Sequence, residues 1–394
     1  EELSLAESAT LAGIPKFPSS GNPLSNPERS MIRRNYILQR MAEEGFISEA
    51  EMRAAQAEPN TAKAHEQVTE LHAPYLAEMV RIEMVRRYGD KATDSGFKVV
   101  TTVSSKDQLA AQGAVRNGLM QYDRRHGWRG AEASIELAGK SEAELLKALR
   151  QRPRIGGLPA ALMLSISGNS AKALLDDGRT LALGPSAAEG TGKSLSGAVK
   201  AGDVVRLQEI NKAMRLAQIP RAQAALVSLN PEDGALRAVV GGFAYSASNF
   251  NRATTAKRQP GSSFKPFVYT ASFERGYSPS SIVLDAPVVF KDRKGNVWRP
   301  KNDRGGFMGP IRLREALVQS RNLVSVRLLD GIGVNYARDY ITRFGFSKDS
   351  LPANLSMSLG TASLTPMSVA RGYTVFANGG TFGSTFRIAP QAQL

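Results

Sequence analysis

The chain has 394 residues, 51 Lys+Arg against 36 Asp+Glu, no Cys and 42% apolar residues. At about 150 residues per domain this makes two or three domains with cores of their own, and the composition excludes wholesale disorder, a fibrous fold, disulfides and thiol chemistry. A net charge of +15 calls for an anionic partner, yet the basic residues are scattered pairs (Arg33-Arg34, Arg86-Arg87, Arg124-Arg125) and aromatics are only 7%, so no nucleic-acid partner is expected.

Ser4 and Glu7 form a capping box ahead of a short helix that Gly13 and Pro15 stop. Asn26 caps a second helix with Pro27 at its first position, and Ser48 with Glu51 opens a third. No run approaches the ~20 apolar residues of a membrane span. Residues 1–60 therefore read as the tail of a helical domain whose body lies elsewhere. Pro74 to Gly89 is a helix with Leu76, Met79, Val80 and Met84 inward, Phe97 to Val103 has strand composition, and a helix follows from about Ser105 to Asp123. Residues 61–128 thus read as a separate αβ unit. From 129 to 218 alternating strands such as Leu162, Leu164, Ile166, a hairpin turn at Asp177-Gly178 and the run Val204 to Leu207 predict an inserted small β-barrel, OB-like and five-stranded. Within it, the Gly/Ser/Ala-rich stretch Ala187 to Gly202 reads as a mobile loop. Residues 219–394 read as an α/β domain opening with a hairpin, Ala225 to Leu229 and Leu236 to Gly241, around Asn230-Pro231-Glu232-Asp233-Gly234.

The chemistry concentrates in Arg258 to Phe267. Pro260-Gly261 makes a turn, and Phe264, Phe267, Val268 and Ala271 follow at helical spacing. Ser262 then sits at a helix start, with Lys265 one turn on and on the same face, while Ser263 points away. A hydroxyl beside the positive end of a helix and a lysine neutral through burial make a nucleophile and its base. A simple helix cap satisfies the same pattern, and Ser-x-x-Lys recurs at Ser95 to Lys98. Three His (His65, His72, His126) are too scattered to offer a Ser–His dyad or a metal site. Ser-x-Asn occurs three times, and only Ser320-Arg321-Asn322 lies between apolar helical runs. Gly190 to Ser194 mimics a phosphate-binding loop but carries Ala187 where that motif has Gly. Trp298 and Asn302 read equally as site lining or as packing and turn residues, and Glu315 as a helix-face residue.

Taken in order, Arg258 to Phe267, Trp298 to Asn302, Gly309 to Leu317, Ser320 to Asn322 and Ser358 to Pro366 resemble the transpeptidase domain of class A, bifunctional penicillin-binding proteins. Leu5 to Glu7, Leu11 to Pro15 and Asn26 to Arg29 resemble the end of that family's glycosyltransferase domain, and Tyr122 to Gly127 resembles the linker of its type 1a members from Gram-negative bacteria. The fold this implies is multidomain α+β: a helical glycosyltransferase remnant, an αβ linker, an inserted OB-like β-barrel and a truncated transpeptidase domain of serine β-lactamase-like α/β type.

The function implied is peptidoglycan cross-linking by D-alanyl-D-alanine transpeptidation through an acyl-Ser262 intermediate. Lys265 is then the base, Ser320 the proton shuttle and Asn322 a partner of Lys265 and of the stem peptide. β-Lactams would acylate Ser262, and the parent protein would also polymerise lipid II. No cofactor is implied for transpeptidation, and a divalent metal only at the glycosyltransferase site, whose catalytic residues are expected before Glu1. The resemblance further implies an N-terminal anchor in the bacterial inner membrane, a periplasmic location and an outer-membrane lipoprotein activator docking on the inserted barrel. The family's Lys-Thr-Gly strand, with the second oxyanion donor, is nowhere in the sequence, so a fragment is expected. Rival readings are an inert cell-wall scaffold, and a D,D-carboxypeptidase or β-lactamase using the same Ser and Lys.

Overall fold

Ser4 and Ser48 start their helices in the same way. Each hydroxyl accepts the backbone N–H three residues on, and the Glu there accepts the serine's own N–H, giving Leu5–Gly13 and Glu49–Ala57. Asn26 caps Pro27–Glu43 between them. In this computed structural model the described residues are 3–63, 69–291, 295–383 and 389–391, with His65 outside them. The chain divides into two compact units, Glu1–His72 and Ala73–Leu394. The first is all helix around a small core of Ala6, Ala9, Leu38 and Ala55. Arg34 is buried in it, donating to the carbonyls of Gln56 (3.0 Å) and Glu58 (2.8 Å), which are otherwise left open at a helix end.

In the second unit the helices Pro74–Tyr88 and Ser105–Arg125 form where the spacing predicts them. The strand expected over Phe97 to Val103 is shorter, Lys98–Val100. Thr102 and Ser104 instead bond sideways to the carbonyls of Leu236 (2.7 Å) and Arg237 (3.1 Å). Those residues belong to the hairpin Leu226–Leu229 and Leu236–Val240. Gln108 extends the hairpin's bonding, its amide donating to the Val239 carbonyl at 2.8 Å and accepting the Val239 N–H at 2.9 Å. Ala111, Val115, Leu119 and Met120 pack on Ala238, Val240 and Phe243 behind it.

The inserted region is a six-stranded sheet rather than a five-stranded one. Its order is Ala133–Ser134, Asp203–Ile210, Ala160–Ser167, Ser170–Leu175, Thr180–Leu183, with Ala213–Ala217 also paired to Asp203–Ile210. Both faces are buried. Leu162, Leu174 and Val204 meet Leu145 and Leu149 of the helix Glu142–Arg150, while Ala161, Met163, Ala173 and Val205 face the other way. That second layer corrects the mobile-loop expectation for Ala187 to Gly202. Ala187, Ala188, Leu195, Ala198 and Val199 are buried core residues there, and Ser194 caps a single helical turn, Leu195–Ala198. The small side chains permit close packing, not motion.

One of the remaining core clusters has an aromatic centre. Phe267 has the rings of Phe344, Phe346, Phe376 and Tyr373 around it at centroid distances of 5.0, 5.0, 5.2 and 5.4 Å. This cluster anchors the helix Lys265–Phe273 beside Asn322–Ile332.

Candidate active site

Pro260 and Gly261 (φ +59°) turn the chain into one 3₁₀ turn, Gly261–Phe264, and Lys265 opens the α-helix proper. With three residues per turn, positions three apart eclipse, so the 3₁₀ start stacks Ser262 over Lys265 more directly than the expected α-helical start. Ser262 is exposed and its hydroxyl makes no hydrogen bond among the described residues. Ser263 is tied down, its hydroxyl donating to the Pro260 carbonyl at 2.7 Å.

Lys265 has no exposed surface. Its Nζ donates to the Ser320 carbonyl (2.6 Å), Ser320 Oγ (3.0 Å) and Asn322 Oδ1 (2.7 Å). Burial pulls its pKa down to about 8, against the nearby Asp303 carboxylate, which favours the charged form. The structure thus brings Lys265, Ser320 and Asn322 into contact, and Ser262, Ser320 and Asn322 line one cleft of about 510 Å³ with Asn302, Asp303 and Arg304.

Ser320 occupies an unusual backbone position. The helix Leu313–Val318 ends with Arg321 N–H on the Ala316 carbonyl (2.8 Å) and Ser320 N–H on that of Leu317 (3.0 Å), which is the Schellman pattern. Ser320 stands where glycine is usual, at φ +55°. A strained residue kept in place of glycine points to a use for its hydroxyl.

Asn322 is held in turn. Asn302, read from the sequence as either lining or turn, is buried and accepts the N–H groups of Asn322 (2.9 Å) and Leu323 (3.3 Å), capping the helix Asn322–Ile332 from outside. Asn322 Nδ2 donates to the Lys301 carbonyl at 2.9 Å. Trp298 resolves the other way. It pairs with Phe290 across a short hairpin and does not line the cleft. Glu315 is an exposed helix-face residue.

Sequence reasoning passed over Asp285. It is fully buried and bonds both Asn302 and Arg321. The available signal was parity: Asp285 shares the inward phase of Val283 on the strand Ile282–Asp285, where an acid needs a partner.

The segment Ser358 to Pro366 lies against the Ser262 turn. Arg258 and Leu364 exchange backbone bonds (2.9 and 3.0 Å), and Gly261 N–H reaches the Gly360 carbonyl at 3.2 Å. Gly360 has φ +74°, and a Cβ there would sink into the Gly261 carbonyl. Gly360→Ala should push the Ser262 turn aside, lowering both the melting temperature and, by about a hundredfold, the rate of covalent labelling by penicillin. Labelling at the wild-type rate would show that the close approach does not position the serine.

The chain resembles known proteins over most of its length. Residues 224–385 match the penicillin-binding protein transpeptidase domain, and residues 128–222 the penicillin-binding protein OB-like domain. Penicillin-binding protein 1A of Pseudomonas aeruginosa is 49% identical over 96% of this chain and 48% of that protein. The Escherichia coli protein of the same name is 41% identical over 96% of this chain and 47% of that protein. The chain thus spans about half the length of the curated relatives it matches. The crystal structure of penicillin-binding protein 1A from Haemophilus influenzae superimposes with a TM-score of 0.86 at 42% identity, covering 98% of this chain and 58% of that one.

Proposed function

The chain belongs to the penicillin-binding proteins, as a relative of their 1A members, and on that premise we propose that it cross-links peptidoglycan through an acyl-Ser262 intermediate. One observation carries the reading: a fully buried lysine amine shared by Ser320 and Asn322, one 3₁₀ turn from an exposed serine at a cleft, the serine hydroxyl having no hydrogen bond among the described residues.

In the first step Ser262 Oγ attacks the carbonyl of the penultimate D-Ala of a stem peptide. Its proton passes to the neutral amine of Lys265. The backbone N–H of Ser262, at the opening of the 3₁₀ turn, stabilises the developing oxyanion. As the C–N bond breaks, the terminal D-Ala leaves with a proton relayed from Lys265 through Ser320 Oγ. An amine of a second stem then attacks the ester and gives a proton back to Lys265, which restores Ser262. Asn322 fixes the amine through Oδ1 and, on this reading, the stem peptide as well. A β-lactam would acylate the same oxygen and persist, because its leaving group stays tethered. The helical first unit fits the end of a glycosyltransferase domain. The whole protein would then also polymerise lipid II at the periplasmic face of an inner membrane, with the OB-like domain free to receive a lipoprotein activator.

The test is to label the full-length protein with a fluorescent penicillin and map the adduct by peptide mass spectrometry. A single adduct on the Ser262 peptide, together with cross-linked dimers from stem-peptide substrates, is expected. No adduct favours an inert scaffold. An adduct with released D-Ala but no dimers favours a carboxypeptidase.

Ser320→Gly separates strain from use. Relieving the left-handed backbone should add about 1 kcal/mol of stability. Losing the shuttle should slow acylation by on the order of a hundredfold. Unchanged acylation would remove Ser320 from the proton path.

A further inference from the structure

The carboxylate of Asp285 accepts three hydrogen bonds from three places and has a second Arg321 nitrogen in ion-pair contact. Asn302 Nδ2 reaches Oδ1 at 2.8 Å, while Arg321 Nε (2.7 Å), Arg321 Nη2 (2.6 Å) and the Met308 N–H (3.0 Å) all reach Oδ2. Asp285 has no exposed surface and the Arg321 side chain is 11% exposed, so this is an ion pair taken almost wholly out of water. Such a pair is costly to assemble and very costly to break on one side only.

What it grips is the Ser320 loop. Arg321 immediately follows Ser320, and Asn302, held by the same carboxylate, accepts the N–H of Asn322. The two residues that follow the left-handed Ser320 are therefore fastened to one buried group. A disfavoured backbone conformation persists only where its surroundings over-determine it, and here the surroundings are this network. The strand Ile282–Asp285 pairs with Gly309–Arg312, which runs straight into the helix ending at the loop, so carboxylate and loop share one frame.

We infer that Asp285 is a positioning residue of the acyl-transfer site: through Arg321 and Asn302 it holds the Ser320 carbonyl, the Ser320 hydroxyl and the Asn322 amide where Lys265 needs them, without itself touching substrate. This rests on the acyl-transfer reading of the cleft. Strand parity marks Asp285 as inward, but its partner cannot be read locally, since Asp285 and Arg321 lie far apart in the chain and meet only in the fold.

The test uses the full-length protein and a fluorescent penicillin over a range of concentrations, which separates the initial non-covalent affinity from the rate of acylation. Asp285→Asn keeps the shape and removes the charge. It should slow acylation ten- to a hundredfold while the initial affinity stays within threefold. Asp285→Asn combined with Arg321→Gln removes both charges. If Asp285 acts through Arg321, the double variant is no slower than the slower single one.

A rate per folded molecule within twofold of wild type in Asp285→Asn, with only a lowered melting temperature, overturns the inference and leaves a purely structural pair. So do losses that multiply in the double variant. Should Asp285→Asn fail to fold, the charge-balanced double variant carries the test alone: a tenfold slower acylation supports the role, and a wild-type rate overturns it. Wild-type labelling at Ser262 combined with an unaffected Asp285→Asn sinks this inference only. Labelling that survives Ser262→Ala sinks the acyl-transfer reading and this inference with it.

Discussion

Ser262→Ala should abolish covalent labelling by penicillin, a fall on the order of 10⁶ for loss of the nucleophile in serine acyl transfer, and leave the fold intact. The hydroxyl is exposed and makes no hydrogen bond among the described residues, so its removal leaves no partner unsatisfied. An exposed substitution of this kind changes stability by about 0.5 kcal/mol at most, which moves the melting temperature by about 2 °C. No neighbour can take over. Ser263 Oγ is committed to the Pro260 carbonyl at 2.7 Å, and Ser320 Oγ to the Lys265 amine at 3.0 Å. Ser263→Ala is the matched control, one residue away, and should label normally. Should Ser262→Ala still take up label with a native melting curve, another oxygen is the nucleophile and the proposed mechanism is wrong.

How far the site could be read in advance depended on the range of the interactions that build it. The Ser262–Lys265 pair was legible because spacing along one turn is a local property, as were the capping boxes at Ser4 and Ser48. The Ser320 loop was legible through contrast, as polar residues between two apolar helical runs. Its left-handed backbone was not, because a Schellman ending without its glycine leaves no mark in the sequence. Asp285 stayed hidden for a different reason. Its partners come from three separate segments, and a carboxylate at a strand end ordinarily reads as a solvated terminus. The stretch Ala187 to Gly202 was misread because small residues suit two opposite purposes, flexible connection and close packing, and composition does not distinguish them. Only the burial of Ala187, Leu195 and Val199 against the sheet does. Asn302 and Trp298 were equal candidates beforehand, and the difference between them is one of tertiary placement alone.

Lys265→Met should slow acylation by on the order of a thousandfold, the scale of a general base, and should also erase the pH dependence. Burial lowers the lysine's pKa to about 8, so about a tenth of it is neutral at pH 7, against roughly one part in 3,000 for an ordinary lysine. The wild-type rate should therefore climb with pH and level off above about 8. Lys265→Arg keeps a cation that cannot release its proton in water and should lose the rising limb as completely as Met does. The one opposing influence is the Asp303 carboxylate, which favours the ammonium, and Asp303→Asn should move the limb to lower pH. Stability provides a second sign. An unfolded lysine holds its proton up to about 10.5 and the folded one only to about 8. Between those values the unfolded state binds more protons, and the wild type should gain stability with rising pH. Below that window the buried charge is a full penalty, which Lys265→Met removes while leaving the Ser320 carbonyl and Asn322 Oδ1 short of a donor. The two effects oppose, so the Met variant should fold well near neutrality and fall behind the wild type as the pH passes from 8 to 10.5. A flat wild-type profile, or a limb indifferent to Asp303→Asn, would mean that the amine buried beneath Ser262 is a structural cation and that the proton leaves by another path.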